Sequence, residues 1–236
     1  MTTNLSSFLG STYIGNRGFG LFNSEIDLSQ SYTLTTSMAS ALTFPAGDQK
    51  YLVRSILLTN IGTEDATFSA DFYFDDLTID VKAAAGIPLN VGSTIELIKK
   101  PKIFSPADQI KLQASTGNTI QAYITYQSDT TLNYFGTGVN ITSTANTDIF
   151  TASSGDAVLE SIHIANISST VNADFDLFLA ESNGTLISNF AKNFIVPANA
   201  VIELNEQPKV LSQGQKIIAK APVGNIFSVV VSGIYR

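Results

Sequence analysis

The sequence has no cysteine and no tryptophan, a single histidine, and few charges. Without cysteine there is neither a disulfide framework nor a thiolate metal site. Charged residues make up 14% of the chain, against roughly 25% in an ordinary soluble domain. Serine, threonine, asparagine and glycine are plentiful instead, so hydroxyls and amides must solvate the surface. The 13 basic residues stand against 20 acidic ones, for a net charge of -7 and a pI near 4.6. They gather only at Lys99, Lys100 and Lys102, which is not the basic footprint that nucleic-acid binding requires. No nucleic-acid partner is predicted. Nowhere do about 18 apolar residues run together, and the first 22 residues lack a basic segment followed by an apolar run. The expectation is a protein made in a cytoplasm, with no membrane insertion. The sequons at Asn4, Asn140, Asn166 and Asn183 are read as chance matches in a chain this rich in their components.

Catalytic chemistry is equally thin. General acid–base work at neutral pH most often uses histidine, and the one present is His163, in "ESIHIAN". By strand alternation it points opposite Ile162 and Ile164. A second stretch of the chain puts Leu57 at the matching place, so a packing or surface role is expected. Asp71, Asp75, Asp76 and Asp80 lie close together, and Asp174 and Asp176 repeat part of that pattern. Such carboxylates could hold Ca²⁺ or act as an acid–base pair, but no ordered calcium loop accompanies them and loop aspartates ordinarily cap turns. No Walker loop, G-x-G-x-x-G after a strand, H-E-x-x-H or G-x-S-x-G occurs. "GNRGFG" from Gly15 has the glycines of a phosphate loop without the flanking strand and helix. The chain is therefore expected not to be an enzyme, with no catalytic residues, no cofactor and no metal.

What the sequence does contain is a repeat. "VRSILLTNIGT" from Val53 returns as "LESIHIANISS" from Leu159, where Ser55, Ile56, Asn60 and Ile61 recur as Ser161, Ile162, Asn166 and Ile167, 106 positions on. "STIELIKKPKIFSPADQIKLQASTGNTIQAYITY" from Ser93 returns from Ala200, now 107 positions on. Ile95, Glu96, Leu97, Pro101, Lys102, Ser105, Ile110, Ala114, Gly117 and Asn118 all have identical partners. A period this long exceeds a solenoid unit, so each repeat must bury a core of its own.

Within each repeat, short runs rich in Val, Ile, Thr, Tyr and Phe are separated by Gly, Pro, Asn and Asp about every ten residues, the signature of strands. Strands are predicted at Tyr51 to Thr59, Ala66 to Phe74, Ser93 to Ile98, Gln109 to Ser115 and Thr119 to Tyr126. "DVKAAAG" from Asp80 suggests one turn of helix. Seven or eight strands without helical crossovers fit two packed antiparallel sheets. The predicted fold is all-β: two tandem, internally repeated antiparallel β-sandwich domains, immunoglobulin-like or jelly-roll-like, with an N-terminal arm. True immunoglobulin membership is unsupported, since the chain lacks that family's tryptophan and disulfide. The boundaries are an extended arm over residues 1–30, a first domain over 31–128 and a second over 129–236.

The arm poses its own question. In "SSFLGSTYIGNRGFG" from Ser6, Phe8, Tyr13, Ile14 and Phe19 follow neither helical nor strand spacing. "FLGSTYIGNRG" resembles the opening of many structural proteins of tailed bacteriophages, particularly phages of marine cyanobacteria. "IPLNVGSTIELIKKPKIFSPADQIKLQAS" from Ile87 is similar to β-sandwich domains of phage virion proteins, in which an I-P-x-G-S-x-E-L stretch leads to a G-D-x-I-like turn. Here Pro106-Ala107-Asp108 and Gly214-Gln215 each keep part of that turn, and Pro197-Ala198-Asn199 stands where a glycine belongs. The resemblance implies a non-enzymatic structural component of a phage virion, in the tail, neck, baseplate or capsid decoration, partnered by other virion proteins and by copies of itself. Phe8, Tyr13, Ile14 and Phe19 would then be assembly contacts, each burying about 1.5 to 3 kcal/mol where it docks. The other class open to such a sequence is a carbohydrate-binding or host-adhesion module using aromatics such as Tyr73, Tyr134 and Phe135.

Overall fold

The computed structural model describes residues 26–130, 133–204 and 207–236. Phe8, Tyr13, Ile14 and Phe19, the expected assembly contacts, lie outside the described residues. The described chain is all strand and turn, in antiparallel sheets. The first half contains β1 (Ile26–Thr33), β2 (Ala39–Thr43), β3 (Lys50–Asn60), β4 (Ala66–Phe74), β5 (Ile79–Leu89), β6 (Thr94–Glu96), β7 (Lys102–Phe104), β8 (Gln109–Ala114) and β9 (Ile120–Asp129). The second half repeats the series as β10 (Tyr134–Ile141), β11 (Thr147–Thr151), β12 (Ala157–Asn166), β13 (Ala173–Ala180), β14 (Leu186–Val196), β15 (Val201–Glu203), β16 (Lys209–Leu211), β17 (Lys216–Lys220) and β18 (Phe227–Tyr235).

In the first half one sheet runs β1-β9-β3-β6, with β7 also on β3, and the other runs β2-β8-β4-β5. In the second half the corresponding orders are β10-β18-β12-β15, with β16 also on β12, and β11-β17-β13-β14. Counting the two short pieces β6 and β7 as one strand, the outermost strands pair, then the next pair inward, down to the β4–β5 hairpin. That nested order, wrapped into two sheets, is the jelly roll. The sixth strand is split where residues 97–101 stand opposite only residues 54–56 of β3: the Leu97 amide still donates to the Ile56 carbonyl, and Pro101, with no N–H to give the ladder, sits just before pairing resumes at Lys102.

Alternation drives each strand into its sheet. In β9, Ile120, Ala122 and Ile124 face the core while Gln121 and Tyr123 face out. The first core is aromatic, with Phe44 stacked on Tyr51 and on Phe104 at 4.9 Å in each case. The second is built on Phe135, Phe150, Phe175 and Phe227 among aliphatics. Burying each large side chain contributes about 1.5 to 3 kcal/mol.

One local expectation fails. "DVKAAAG" forms no helical turn but lies inside β5, with Asp80, Val81 and Lys82 in register with Tyr73, Phe72 and Asp71. Alanine is the best helix former, but propensity is a weak prior that tertiary context overrides, and here burial of Val81, Ala83 and Ala84 decides the conformation. The first strand also begins earlier than the repeat suggests, at Ile26, paired along its whole length with β9.

The repeat identities now have causes. Asn60 is buried and donates to the carbonyls of Glu64 and Leu89 while accepting from the Gly62 amide; Asn166 does the same with Val171, Val196 and Ser168. Each clamps the loop that leaves its strand. Asn118 and Asn225 both sit at φ near +60°, a region asparagine tolerates. The substituted turn glycines resolve likewise: Ala107 takes φ 67° where its counterpart Gly214 takes 89°, and Asn199 takes 53° where Gly92 takes 70°.

Candidate functional site

The two halves meet edge to face. Strands β5 and β7 of the first half lie against β10, β12 and β18 of the second. Close approach requires Gly136 and Gly138 on β10: a Cβ at Gly136 would stand 1.8 Å from the Ile103 carbonyl oxygen, and one at Gly138 would press on Phe74 and Val81 at 2.8 and 2.9 Å. Outward-facing serines of β18 complete the contact. Ser232 Oγ accepts from the Ile103 amide at 3.1 Å, and Ser228 Oγ donates to the Lys82 carbonyl. Asn140 Nδ2 donates to the Asp80 carbonyl at 2.8 Å.

At the centre is a charged cluster drawn from both halves. Lys102 of β7 donates to Glu203 Oε1 at 2.5 Å, to Ser161 Oγ at 2.6 Å and to the Lys100 carbonyl at 3.0 Å. All three ammonium protons are thus placed. Ser161 Oγ in turn donates to Glu203 Oε2 at 3.1 Å. His163 Nδ1 lies 3.0 Å from Glu203 Oε1, and its Nε2 lies 2.9 Å from the Ala83 carbonyl oxygen. Both ring nitrogens therefore face acceptors. Lys102 and His163 have 0% exposed side chains, and Glu203 has 7%.

Burial alone would push the Glu203 carboxyl up, but the His163 hydrogen bond and the Lys102 charge outweigh it and hold it at about 2. Burial pushes the Lys102 ammonium down, with Glu203 opposing. A cluster with every proton placed is a specific connector, because shifting the halves by one residue would orphan several buried polar groups at once. Lys102 and His163, with no exposed atoms, cannot touch a substrate unless the halves part, and only the margin of Glu203 reaches the cavity it lines with Glu96, Lys99 and Asn199. The arrangement fixes one docking geometry.

Sequence reasoning placed His163 at a packing or surface position. It is a buried packing position, yet it also joins the two halves, a role that alternation within one repeat could not reveal. Lys102 and Glu203 were visible only as conserved repeat identities. Three of the acidic residues pair with lysines of their own sheet: Asp71 with Lys82 at 3.2 Å, Asp80 with Lys111 at 2.7 Å across β4, and Asp176 with Lys192 at 2.6 Å. Asp75 and Asp76 occupy the exposed β4–β5 turn. Among the described residues no three potential metal ligands come together. Of the aromatics considered for sugar binding, Phe135 is buried, stacked on Phe150 at 4.3 Å, and Tyr73 is half-buried beneath Lys111, whose Nζ lies 4.4 Å from the ring centre.

No family model and no curated protein sequence matches the chain. Among solved structures it is similar to the STIV MCP, with 12% identity, a TM-score of 0.31, and coverage of 90% of this chain and 96% of that one. It is also similar to the T13 IBDV viral particle protein, with 9% identity, a TM-score of 0.28 and coverage of 90% and 69%. A third likeness is to the CBM22-1-CBM22-2 tandem domain of Paenibacillus barcinonensis Xyn10C, with 8% identity, a TM-score of 0.24 and 80% of each chain covered. At these TM-scores the likenesses carry no argument about function.

Proposed function

We propose that the chain is a non-enzymatic structural component of a virion, made to be built into an assembly. The observation that carries this reading is the second half's uncovered edge, where Leu186, Ile187, Phe194 and Ile195 of β14 and Val210 of β16 are all exposed. Large apolar side chains left uncovered along a sheet edge offer a place for a partner to pair and pack. The phage-like N-terminal segment supplies the kind of assembly, a tail, neck, baseplate or capsid-decorating position in a tailed phage. Jelly rolls serve both capsids and lectins, so the fold by itself favours neither. In this reading the two building units are the halves expected over 31–128 and 129–236, the first carrying β1 from Ile26, and Phe8, Tyr13, Ile14 and Phe19 of the arm dock onto other virion proteins. The test is density-gradient purification of particles from infected cells. The chain is expected to migrate with intact particles and to withstand washing at high salt. A chain that stays in the soluble fraction, and whose melting temperature rises with a host glycan by mass action, would overturn the proposal.

A further inference from the structure

The joint inside the chain is asymmetric: the first half contributes an edge, β5 with β7, and the second contributes a sheet face carried by β10, β18, β12 and β15. Since both halves contain the same strands, each also possesses the part it does not use. The second half has an edge, β14 with β16. The first half has a face, β1, β9, β3 and β6.

On the unused edge the repeat carries Lys102 onto Lys209 and Ile103 onto Val210. Ile103 is 1% exposed beneath the second half, whereas Val210 is 58% exposed. Along β14, Ile187 and Ile195 replace Asp80 and Pro88 of β5, so at these two places the open edge is apolar where the covered edge has a charge and a proline, although Lys192 remains exposed between them. An unpartnered sheet edge in a monomer is ordinarily protected by charge or proline. On the unused face Glu96 takes the place of Glu203 and makes the corresponding contact: its Oε2 accepts from Ser55 Oγ at 2.6 Å, as Glu203 Oε2 accepts from Ser161. Its Oε1 accepts from the Ile56 amide at 2.7 Å. Only the lysine is missing, for neither Glu96 nor Lys209 makes an ion pair among the described residues. The carboxylate belongs to the first half, where Glu96 borders the cavity beside the joint, and the cation belongs to the open edge of the second half.

We infer that copies of this chain associate head to tail, the β14–β16 edge of one seating on the β1–β9–β3–β6 face of the next, with Lys209 meeting Glu96. Such a contact is heterologous, so it closes into a ring or continues as a filament. The departures from the repeat shape it. Ser29, opposite Thr125, replaces Gly136, opposite Ser232, and Ser31 replaces Gly138. Side chains at these places hold the incoming edge away from β1. Because β6 lies on the opposite border of that sheet, the contact tilts open at β1 and closes over Ser55 and Glu96. It is therefore looser than the joint within the chain and depends on concentration.

Sedimentation velocity of the full chain over a concentration series at low salt tests this. Association is expected for the wild type and is weakened about tenfold or more in Lys209→Glu and in Glu96→Lys. An equimolar mixture of the two variants regains it, since every contact in the mixture then pairs opposite charges. Glu96→Gln, which keeps the hydrogen bonds to Ser55 and Ile56, serves if Glu96→Lys melts early, and is also expected to weaken association. A monomer at all concentrations overturns the inference. So does association that survives the Glu96 variants but is lost in Ile187→Asp/Ile195→Asp, which marks edge-to-edge pairing about a two-fold axis. A chain that is monomeric in solution yet migrates with particles overturns head-to-tail association and leaves the virion role standing.

Discussion

Replacing Glu203 by alanine removes the acceptor shared by Lys102, Ser161 and His163. Lys102 is left with no exposed atoms and no counter-charge, and orphaning a buried ion in this way costs about 3 to 5 kcal/mol. Adding Lys102→Met takes the stranded cation away. The double variant is therefore expected to be more stable than Glu203→Ala alone, because an ion pair replaced by apolar groups is often neutral. The coupling between the two sites should reach about 0.5 to 3 kcal/mol. Urea unfolding followed by far-UV circular dichroism and tyrosine fluorescence reports the effect without interference, since the chain has eight tyrosines and no tryptophan. The loss should appear as earlier separation of the halves, with each jelly roll then unfolding on its own transition. A cost below about 1 kcal/mol for Glu203→Ala, the range of solvent-exposed pairs, would show that water reaches the cluster and would refute the reasoning.

Three further outcomes follow from the same geometry. Glu203 is held at about 2, below its ordinary value of 4.5, so its contribution is complete above that ordinary value and fades as pH falls toward 2; Asp108 runs the other way, lifted to about 6 by burial against the hydrogen bonds from the Asp75 and Ser105 amides, so its share of stability declines as pH rises from about 4 through 6. Melting temperature against pH should lose the first slope in Glu203→Gln and the second in Asp108→Asn. Gly136→Val drives a side chain into the Ile103 carbonyl, and amide exchange at Ile103, which is bonded to Ser232, should accelerate while exchange inside each core stays slow. Deleting residues 1–22, or replacing Phe8, Tyr13 and Phe19 together by alanine, should leave melting nearly unchanged and abolish incorporation into particles; a large fall in melting temperature would place the arm in its own chain's core.

The strands were legible because alternation and turn chemistry act locally: Ala66–Phe74 forms where the pattern put it, and the Asn60 and Asn166 clamps lie at repeat identities. The β5 error has the opposite origin. Ala83 and Ala84 have no strong strand preference, and it is the ladder with β4 and burial in the first core that make them strand residues, with the Ala83 carbonyl then accepting from His163. The joint was hidden for the same reason. Comparing the halves aligns Lys102 with Lys209 and Glu203 with Glu96, whereas the contact pairs Lys102 with Glu203 across the repeat. Two signals did point to it: a histidine replacing Leu57, and two glycines on β10 where β1 has Ser29 and Ser31.

The central claim, that this chain is a structural part of a virion, is tested most directly by its copy number in purified particles, measured with isotope-labelled peptides against the particle count. A structural component is present in a fixed whole number per particle, the same in every preparation. A number that drifts between preparations, or falls well below one per particle, would contradict the claim.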